Sequence, residues 1–349
     1  MTSQPPMSQP NPPNFDNARL NPPWLLRGVV LMFGLLALLI GYSLFLLGPT
    51  GRTAEVQIER GKSASRVGEV LERAGLVRSA KLFAMYLRFS GRDKYLRPGI
   101  YRLTGRGVRV LAQDISGKAK PVSVKITFPE GWRLSQIAER LSENGFGGQA
   151  FLKLATSRNS FWPGYAKGDS LEGFLFPATY TFAADLPPED ILRAMTTRLE
   201  QEFSPETKSL LGKLKLSIQE WITLASIVQV EAANAAEMPE IAGVFLNRLE
   251  AGMPLQSDPT VAYALGKDLP KLDRAAGDFE ADSPYNSYRV RGLPPGAISN
   301  PGADALQAVL QPKRTDEKGR KYLYFFHSNG RIFLNVDFEG HQRDLARYR

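Results

Sequence analysis

Ser217-Ile218-Gln219-Glu220-Trp221-Ile222-Thr223-Leu224-Ala225-Ser226-Ile227-Val228-Gln229-Val230-Glu231 is the stretch on which the fold turns. Trp221, Leu224, Val228 and Glu231 recur at i, i+3, i+7 and i+10, with Ile227 alongside, which is the spacing of one helix face. The last member of that apolar stripe is a carboxylate. A carboxyl group there should be partly desolvated, which raises its pKa and suits it to donate a proton near neutrality. A helix-end carboxylate that reaches solvent, or pairs with Arg248, explains the same spacing.

Downstream, the pattern breaks over residues 232–237, and Pro239 sits where the first turn of a new helix accepts it. Ile241, Phe245, Arg248 and Leu249 carry that second helix to Gly252. In Gln256-Ser257-Asp258-Pro259-Thr260, Asp258 reads as a helix cap with Pro at the first helical position. From Pro254 to Pro301 the chain is rich in Pro, Gly, Ser, Asp and Asn. A long irregular stretch in a compact domain usually forms a binding surface or a lid. Within it, Ser283-Pro284-Tyr285-Asn286 offers an aromatic face and an amide, which suit a sugar and equally suit a turn. Ser299-Asn300-Pro301-Gly302 is turn chemistry first. The chain then returns to strands over residues 322–327 and 331–336, joined through Ser328-Asn329-Gly330, an Asn-Gly hairpin signal.

Upstream lies a faint internal repeat. Gly61, Val67, Leu71, Gly75 and Leu76 recur as Gly131, Ile137, Leu141, Gly145 and Phe146 at identical offsets. Each set follows a β-like run, residues 56–58 or 124–128, and reads as a turn and a helix closed by glycine. Pro98-Gly99-Ile100-Tyr101 and Pro177-Ala178-Thr179-Tyr180 each open a further short strand. Two βα-type units follow, the first near residues 54–120 and the second beginning near 122.

Gly28 to Leu47 is a run of mostly apolar residues without a charge, long enough to cross a bilayer. Trp24 and Tyr42 lie near its ends, as interfacial aromatics do. A cleaved signal peptide would have a shorter apolar region and an A-x-A site, which is absent. Residues 1–23 are crowded with Pro, Gln, Asn and Ser and read as a disordered tail.

Composition narrows the chemistry. Among 349 residues, 43% are hydrophobic, so a packed core is possible. There is no cysteine, which removes disulfides, thiolate catalysis and zinc–cysteine sites. Two histidines, His327 and His341, cannot build a three-histidine metal site. The net charge is +9, and Arg19, Arg27 and Asp16 leave +1 in the first fifty residues, so +8 lies beyond them. A basic surface suits an anionic partner such as cell-wall polymer, lipid headgroup or nucleic acid, or is ordinary solubility charge. Gly61-Lys62-Ser63 ends like a phosphate-binding loop, but that loop needs Gly at position 56, where the chain has Val56. No G-x-S-x-G elbow and no H-E-x-x-H occurs. The Lys118-Ala119-Lys120 cluster is too short for a nucleic-acid reader.

Taken in order, several blocks resemble the endolytic murein transglycosylases, the YceG-like family. They are Phe128-Pro129-Glu130-Gly131 with Ile137, Glu172-Gly173-Phe174-Leu175-Phe176-Pro177 with Thr179 and Tyr180, Leu224 to Glu231, Ile241 to Leu249, Gly252 to Val261, Ser283 to Asn286 with Tyr288, and Gly292 to Gly296 with Ser299, Asn300 and Pro301. The likeness covers roughly residues 54–345. It implies an α+β protein: a disordered cytoplasmic tail over 1–23, a transmembrane anchor over 24–48, a small LysM-like module over 54–121 and a mixed catalytic domain over 122–349. It further implies a single-pass inner-membrane lyase with its N-terminus inside and its catalytic domain outside. Such an enzyme cuts nascent peptidoglycan glycan strands between MurNAc and GlcNAc, leaves 1,6-anhydro-MurNAc ends and terminates strand elongation. Peptidoglycan synthases, the penicillin-binding proteins, are the implied membrane partners, and no nucleic acid, metal or organic cofactor is expected.

The family's block commonly reads Glu-x-Glu where this chain has Gln229-Val230-Glu231, which favours Glu231 as the single catalytic acid/base. The loop from Gln256 to Asn300 is expected to line the glycan groove through Gln256, Ser257, Asp258, Tyr285, Asn286 and Asn300, with Gln256 and Asn286 facing Glu231. The matched blocks add Glu172 and Tyr180 as substrate contacts. Two other readings stay open: a hydrolase using Glu231 and Asp258, and a non-catalytic wall-binding anchor.

Overall fold

The structure is a computed structural model that describes residues 23–59 and 61–348. The expected tail over 1–23 therefore lies outside the described residues except for Pro23. The chain divides after Lys120 into two compact units.

The first unit opens with α1 (Pro23–Leu47). Residues Arg27–Leu47 of this helix are long and apolar enough to cross a membrane; most of them are exposed, while at the last turn Leu47 packs against the core and the Arg78 guanidinium lies 4.3 Å over the Phe45 ring. Among the described residues no other helix passes that test. After it come β1 (Thr53–Ile58), α2 (Ala64–Arg73), α3 (Ala80–Phe89), β2 (Gly99–Thr104) and α4 (Val108–Gln113). β1 and β2 pair antiparallel, Thr53 opposite Thr104. Their buried positions alternate with exposed ones, so Val56, Ile58, Tyr101 and Leu103 meet Val67, Leu71, Phe83 and Leu87 from the helices. Serines cap both helices: Ser63 Oγ accepts the Arg66 N–H and Ser79 Oγ accepts the Leu82 N–H.

The second unit opens with the same order, β3 (Ser123–Thr127), α5 (Leu134–Glu143), α6 (Gly148–Ala155) and β4 (Thr179–Ala183). β3 and β4 are antiparallel, Thr127 opposite Thr179. The sequence repeat is thus a β-α-α-β arrangement in which the strands close antiparallel on each other. Even the cross-strand threonine pair recurs, with Oγ1 atoms 3.0 Å apart for Thr53 and Thr104 and 2.8 Å apart for Thr127 and Thr179. Gly75 and Gly145 follow α2 and α5 at φ +70° and +82°, a left-handed conformation that glycine adopts without steric cost.

Beyond the repeat come α7 (Pro188–Glu200), α8 (Pro205–Leu214), α9 (Ile218–Glu231), α10 (Met238–Glu250), α11 (Asp258–Ala264) and α12 (Ala303–Leu310). The unit ends with a hairpin, β5 (Tyr324–Ser328) and β6 (Arg331–Asn335), and α13 (Phe338–Tyr348). Asn329 and Gly330 turn the hairpin with φ of 50° and 70°, as the Asn-Gly pair requires.

α9 is the axis of this unit. Ser217 Oγ accepts the Glu220 N–H while the Glu220 carboxylate accepts the Ser217 N–H, a reciprocal cap. Every residue from Trp221 to Val228 is buried, so the helix is apolar all round rather than on one stripe. α10 and α12 pack along it, and Trp221 Nε1 donates to the Leu306 carbonyl at 2.8 Å. The irregular segment before α12 is strapped to the same helix. Ile298 N–H donates to Ser226 Oγ, and Ser299 Oγ donates to the Ser226 carbonyl, each at 3.0 Å.

Candidate active site

Glu231 is the last residue of α9. The Ala232 N–H still donates to the Val228 carbonyl, the chain then turns away, and Asn234 caps the next turn by accepting the Ala236 N–H. The carboxyl group is half-buried at the edge of the core. Loss of water pushes its pKa up to about 7 from an ordinary 4.5; the negative charge of Asp258 adds to the rise, while the Ser257 hydroxyl and Arg248 oppose it. Near neutrality the group is poised between acid and base, which is what a residue must be to do both jobs.

One partner fixes its orientation. Ser257 Oγ donates to Glu231 Oε1 at 2.5 Å. Ser257 is itself held by a buried hydroxyl network. Its N–H donates to Ser287 Oγ at 2.9 Å, and its carbonyl accepts from Thr260 Oγ1 at 2.7 Å. Thr260 Oγ1 and Ser287 Oγ are 2.8 Å apart. The Thr260 and Ser287 hydroxyls thus hold the Ser257 backbone on both sides, which fixes the residue whose own hydroxyl donates to Glu231.

Arg248, on α10, shapes the approach of this loop. Its Nε donates to the Leu323 carbonyl and its Nη1 to the Leu255 carbonyl, each at 2.7 Å. The guanidinium is nearly enclosed and serves backbone carbonyls; among the described residues it forms no ion pair with Glu231. Between these anchors Gln256 is forced to φ +55°, a left-handed conformation costly for a residue with a side chain. Strain of this sort persists where the surroundings over-determine it, often beside a functional group.

Asp258 is not the cap expected from the sequence. Ser257 occupies the cap position of α11, and Asp258 is the first helical residue, exposed, with Oδ1 accepting the Tyr288 hydroxyl at 2.5 Å. Tyr288 in turn lies edge-on to Phe279, and the Arg274 guanidinium sits 3.7 Å over the Phe279 ring.

The other expected contacts divide sharply. Gln256 is exposed and only brushes Arg248, its Oε1 3.3 Å from Nη1. Tyr285 lines a cavity of about 390 Å³ with Gln219, Lys167 and Glu172, and its ring lies tilted against Tyr263 with centroids 4.9 Å apart. Asn286, expected to face Glu231 across a cleft, is instead wholly enclosed, and its amide donates to the carbonyls of Phe279 and Ala281, each at 2.9 Å. Asn300 is also enclosed. Its Oδ1 accepts the N–H groups of Gly173 and Leu175, and its Nδ2 donates to the Trp132 carbonyl and to Glu172. The carboxylate of Glu172 accepts the Leu134 N–H at 3.0 and 3.2 Å, and burial lifts its pKa to about 8. Tyr180 donates to the Phe176 carbonyl at 2.7 Å and stacks on Phe182. Asn286, Asn300, Glu172 and Tyr180 thus spend their polar atoms inside the protein, because an irregular segment must satisfy its own buried backbone groups.

Gln229, at the position where the resembling block commonly has Glu, accepts the Gly302 N–H at the start of α12 at 2.8 Å. Three contributors escaped the sequence reading: Thr260, Ser287 and Arg133. The first two are ordinary hydroxyl residues, Thr260 in the first turn of α11 and Ser287 in a loop, and nothing in their spacing marks them. Arg133 lies on a second cavity, of about 300 Å³, that runs beside the last turn of α9. No group of three or more His, Asp or Glu able to hold a metal occurs among the described residues.

Residues 56–347 match the YceG-like family. The chain is 33% identical over 314 residues to the endolytic murein transglycosylase of Bacillus subtilis, covering 85% of each chain. It is 29% identical over 325 residues to the endolytic murein transglycosylase of Streptococcus pneumoniae serotype 2, covering 84% of this chain and 58% of that one. A crystal structure of a putative YceG-like protein from Listeria monocytogenes superposes with a TM-score of 0.55 at 31% identity, over 84% of this chain and 99% of that one. The chain belongs to the YceG-like family. The curated relatives it matches are endolytic murein transglycosylases, a class of lyase.

Proposed function

We propose that this protein is a membrane-anchored lytic transglycosylase that cuts inside peptidoglycan glycan strands, with Glu231 as its single acid/base. The observation that carries the reading is the Glu231 carboxyl at the end of α9, desolvated to a pKa of about 7 and oriented by Ser257.

In the first half-reaction the protonated Glu231 gives its proton to the oxygen joining MurNAc C1 to GlcNAc C4. The C1–O bond breaks and GlcNAc leaves with a free 4-hydroxyl. In the second, the MurNAc C6 hydroxyl bonds to C1, and its proton passes to the Glu231 carboxylate. The 1,6-anhydro ring closes, no water is consumed and Glu231 ends as it began. The nucleophile belongs to the substrate and is held at high effective concentration, so one carboxylate suffices where hydrolysis needs two. The Ser257 hydroxyl stabilises the carboxylate form between the halves.

The uninterrupted helix α1 supports attachment to the cytoplasmic membrane, with the short N-terminal side inside and the chain beyond α1 outside. The β-α-α-β order of the first unit supports a LysM-like wall-binding module. Cleavage next to growing strands would make this enzyme a terminator of elongation working beside the penicillin-binding proteins.

The test is product analysis after the full chain, in detergent, is given purified peptidoglycan. Anhydro-ended fragments support the reading. Reducing ends indicate a hydrolase in which Asp258 assists, and no fragments at all indicate a wall-binding anchor.

A further inference from the structure

Arg133 stands on the wall of the cavity of about 300 Å³ together with Gly131, Gln136, Val230, Pro259 and Ile298. Val230 and Pro259 are the chain neighbours of Glu231 and Asp258, so this cavity reaches the two segments that carry the acid and its neighbouring carboxylate. Its volume holds roughly ten waters at liquid density, too much for an accidental packing gap and enough for a sugar substituent.

The guanidinium is placed but not neutralised. Its Nη2 donates to the Lys267 carbonyl at 3.2 Å, and its plane lies 5.2 Å from the Tyr263 ring centre. Among the described residues no carboxylate comes within ion-pair distance of it. The acids nearby feel its charge only from beyond ion-pair distance: Asp268, on the same cavity wall, pairs with Lys271 at 2.7 Å, and Glu172 is held by Leu134 and Asn300. The adjacent Lys267 is likewise paired, with Asp278 at 2.6 Å. The cavity wall therefore carries one rigid, half-buried cation whose remaining donors form a planar fork suited to a carboxylate.

We infer that this cavity is a recognition site for a carboxylate carried by the glycan, bound by Arg133 next to the scissile bond. The inference rests on the function proposed above, because only a MurNAc-containing strand brings carboxylates to that place. They come from two sources. Where the stem peptide has been removed, the lactyl ether of MurNAc ends in a free carboxylate; where it is present, that group is an amide and the peptide supplies the carboxylates. Arg133 then acts as a specificity residue that selects wall glycan over neutral sugar polymers.

The experiment measures kcat and KM for release of anhydro ends by the full chain and by Arg133→Gln and Arg133→Lys variants. Four strands are compared: peptide-free, peptide-bearing, and each of these with its carboxylates converted to methylamides. For the wild type, kcat/KM is expected to favour the charged form of one pair by about tenfold, the scale of one charge-assisted hydrogen bond. Arg133→Gln should erase that preference through KM, and Arg133→Lys should restore part of it. The pair that shows the effect names the source. Equal losses on charged and methylamidated strands, or an undiminished preference in Arg133→Gln, overturns the inference. A wild type that releases no anhydro ends from any strand overturns the proposed function instead, and binding of the same strands to Glu231→Gln then still reports whether Arg133 reads their charge.

Discussion

Replacing Glu231 by Gln should stabilise the second unit at alkaline pH and change little at acid pH. In the folded state the carboxyl titrates at about 7, against 4.5 when unconstrained. Between those values the native protein holds a proton that the unfolded chain has lost, so stability falls as pH rises through that window. A shift of this size corresponds to about 3 kcal/mol once both states are ionised, at 1.36 kcal/mol per pKa unit. Glutamine bears no charge at any pH, and its amide oxygen still accepts the Ser257 hydroxyl, so the ionisation penalty is removed while that contact stays. The stability difference, variant minus wild type, should grow from near zero at pH 4 to about 3 kcal/mol at pH 8.5. Glu172 is also raised, to about 8, but titrates in both proteins and cancels in the difference. Urea unfolding of the full chain in detergent, followed by tryptophan fluorescence at a series of pH values, measures it; Trp132, Trp162 and Trp221 all report on this unit. A difference that is constant with pH, or a loss that deepens as pH rises, would refute the argument that desolvation dominates at Glu231.

Other consequences follow from single contacts. Ser257→Ala removes the hydroxyl that favours the ionised form, so the alkaline limb of kcat/KM against pH should move upward; a limb that stays or moves down contradicts the orientation given to Ser257. Gln229→Glu should keep activity within about threefold, because a carboxylate oxygen can accept the Gly302 N–H equally well and the chemistry belongs to Glu231; a change beyond tenfold, against the 100- to 10,000-fold scale of true acid–base groups, would return position 229 to the mechanism. Asn300→Ala should cost about 3–5 kcal/mol, since it leaves two N–H groups, a carbonyl and the Glu172 carboxylate short of partners in a buried place, and a urea midpoint near wild type would show those bonds to be dispensable.

Much of the architecture was legible because it rests on local signals. The Asn329-Gly330 turn, Pro239 in the first turn of α10, and glycines at 75 and 145 act through backbone conformation alone, and the structure keeps them in those roles. α9 was legible as a helix but not as the unit's axis: a periodic stripe reads as one buried face, and burial from every side comes from partners distant in sequence. The site was less legible. Asn286 and Asn300 sit in a Pro- and Gly-rich segment where amides look like ligand contacts. An amide can serve a sugar or a buried carbonyl with the same chemistry, and only the fold decides which lies within reach. Ser257, read as a substrate contact, lies instead on the acid it orients. Arg133 carried no signal, since only the fold shows that, among the described residues, no carboxylate lies within ion-pair distance of it.

The central claim is that Glu231 alone moves the proton in both halves of the reaction. Its most direct measurement is the rate of anhydro-MurNAc release from purified peptidoglycan by the wild type and by Glu231→Gln, with glycan binding of the variant measured alongside. The expected result is a loss of at least about 100-fold in rate while folding and binding persist. A variant that keeps more than about a tenth of the wild-type rate would contradict the account.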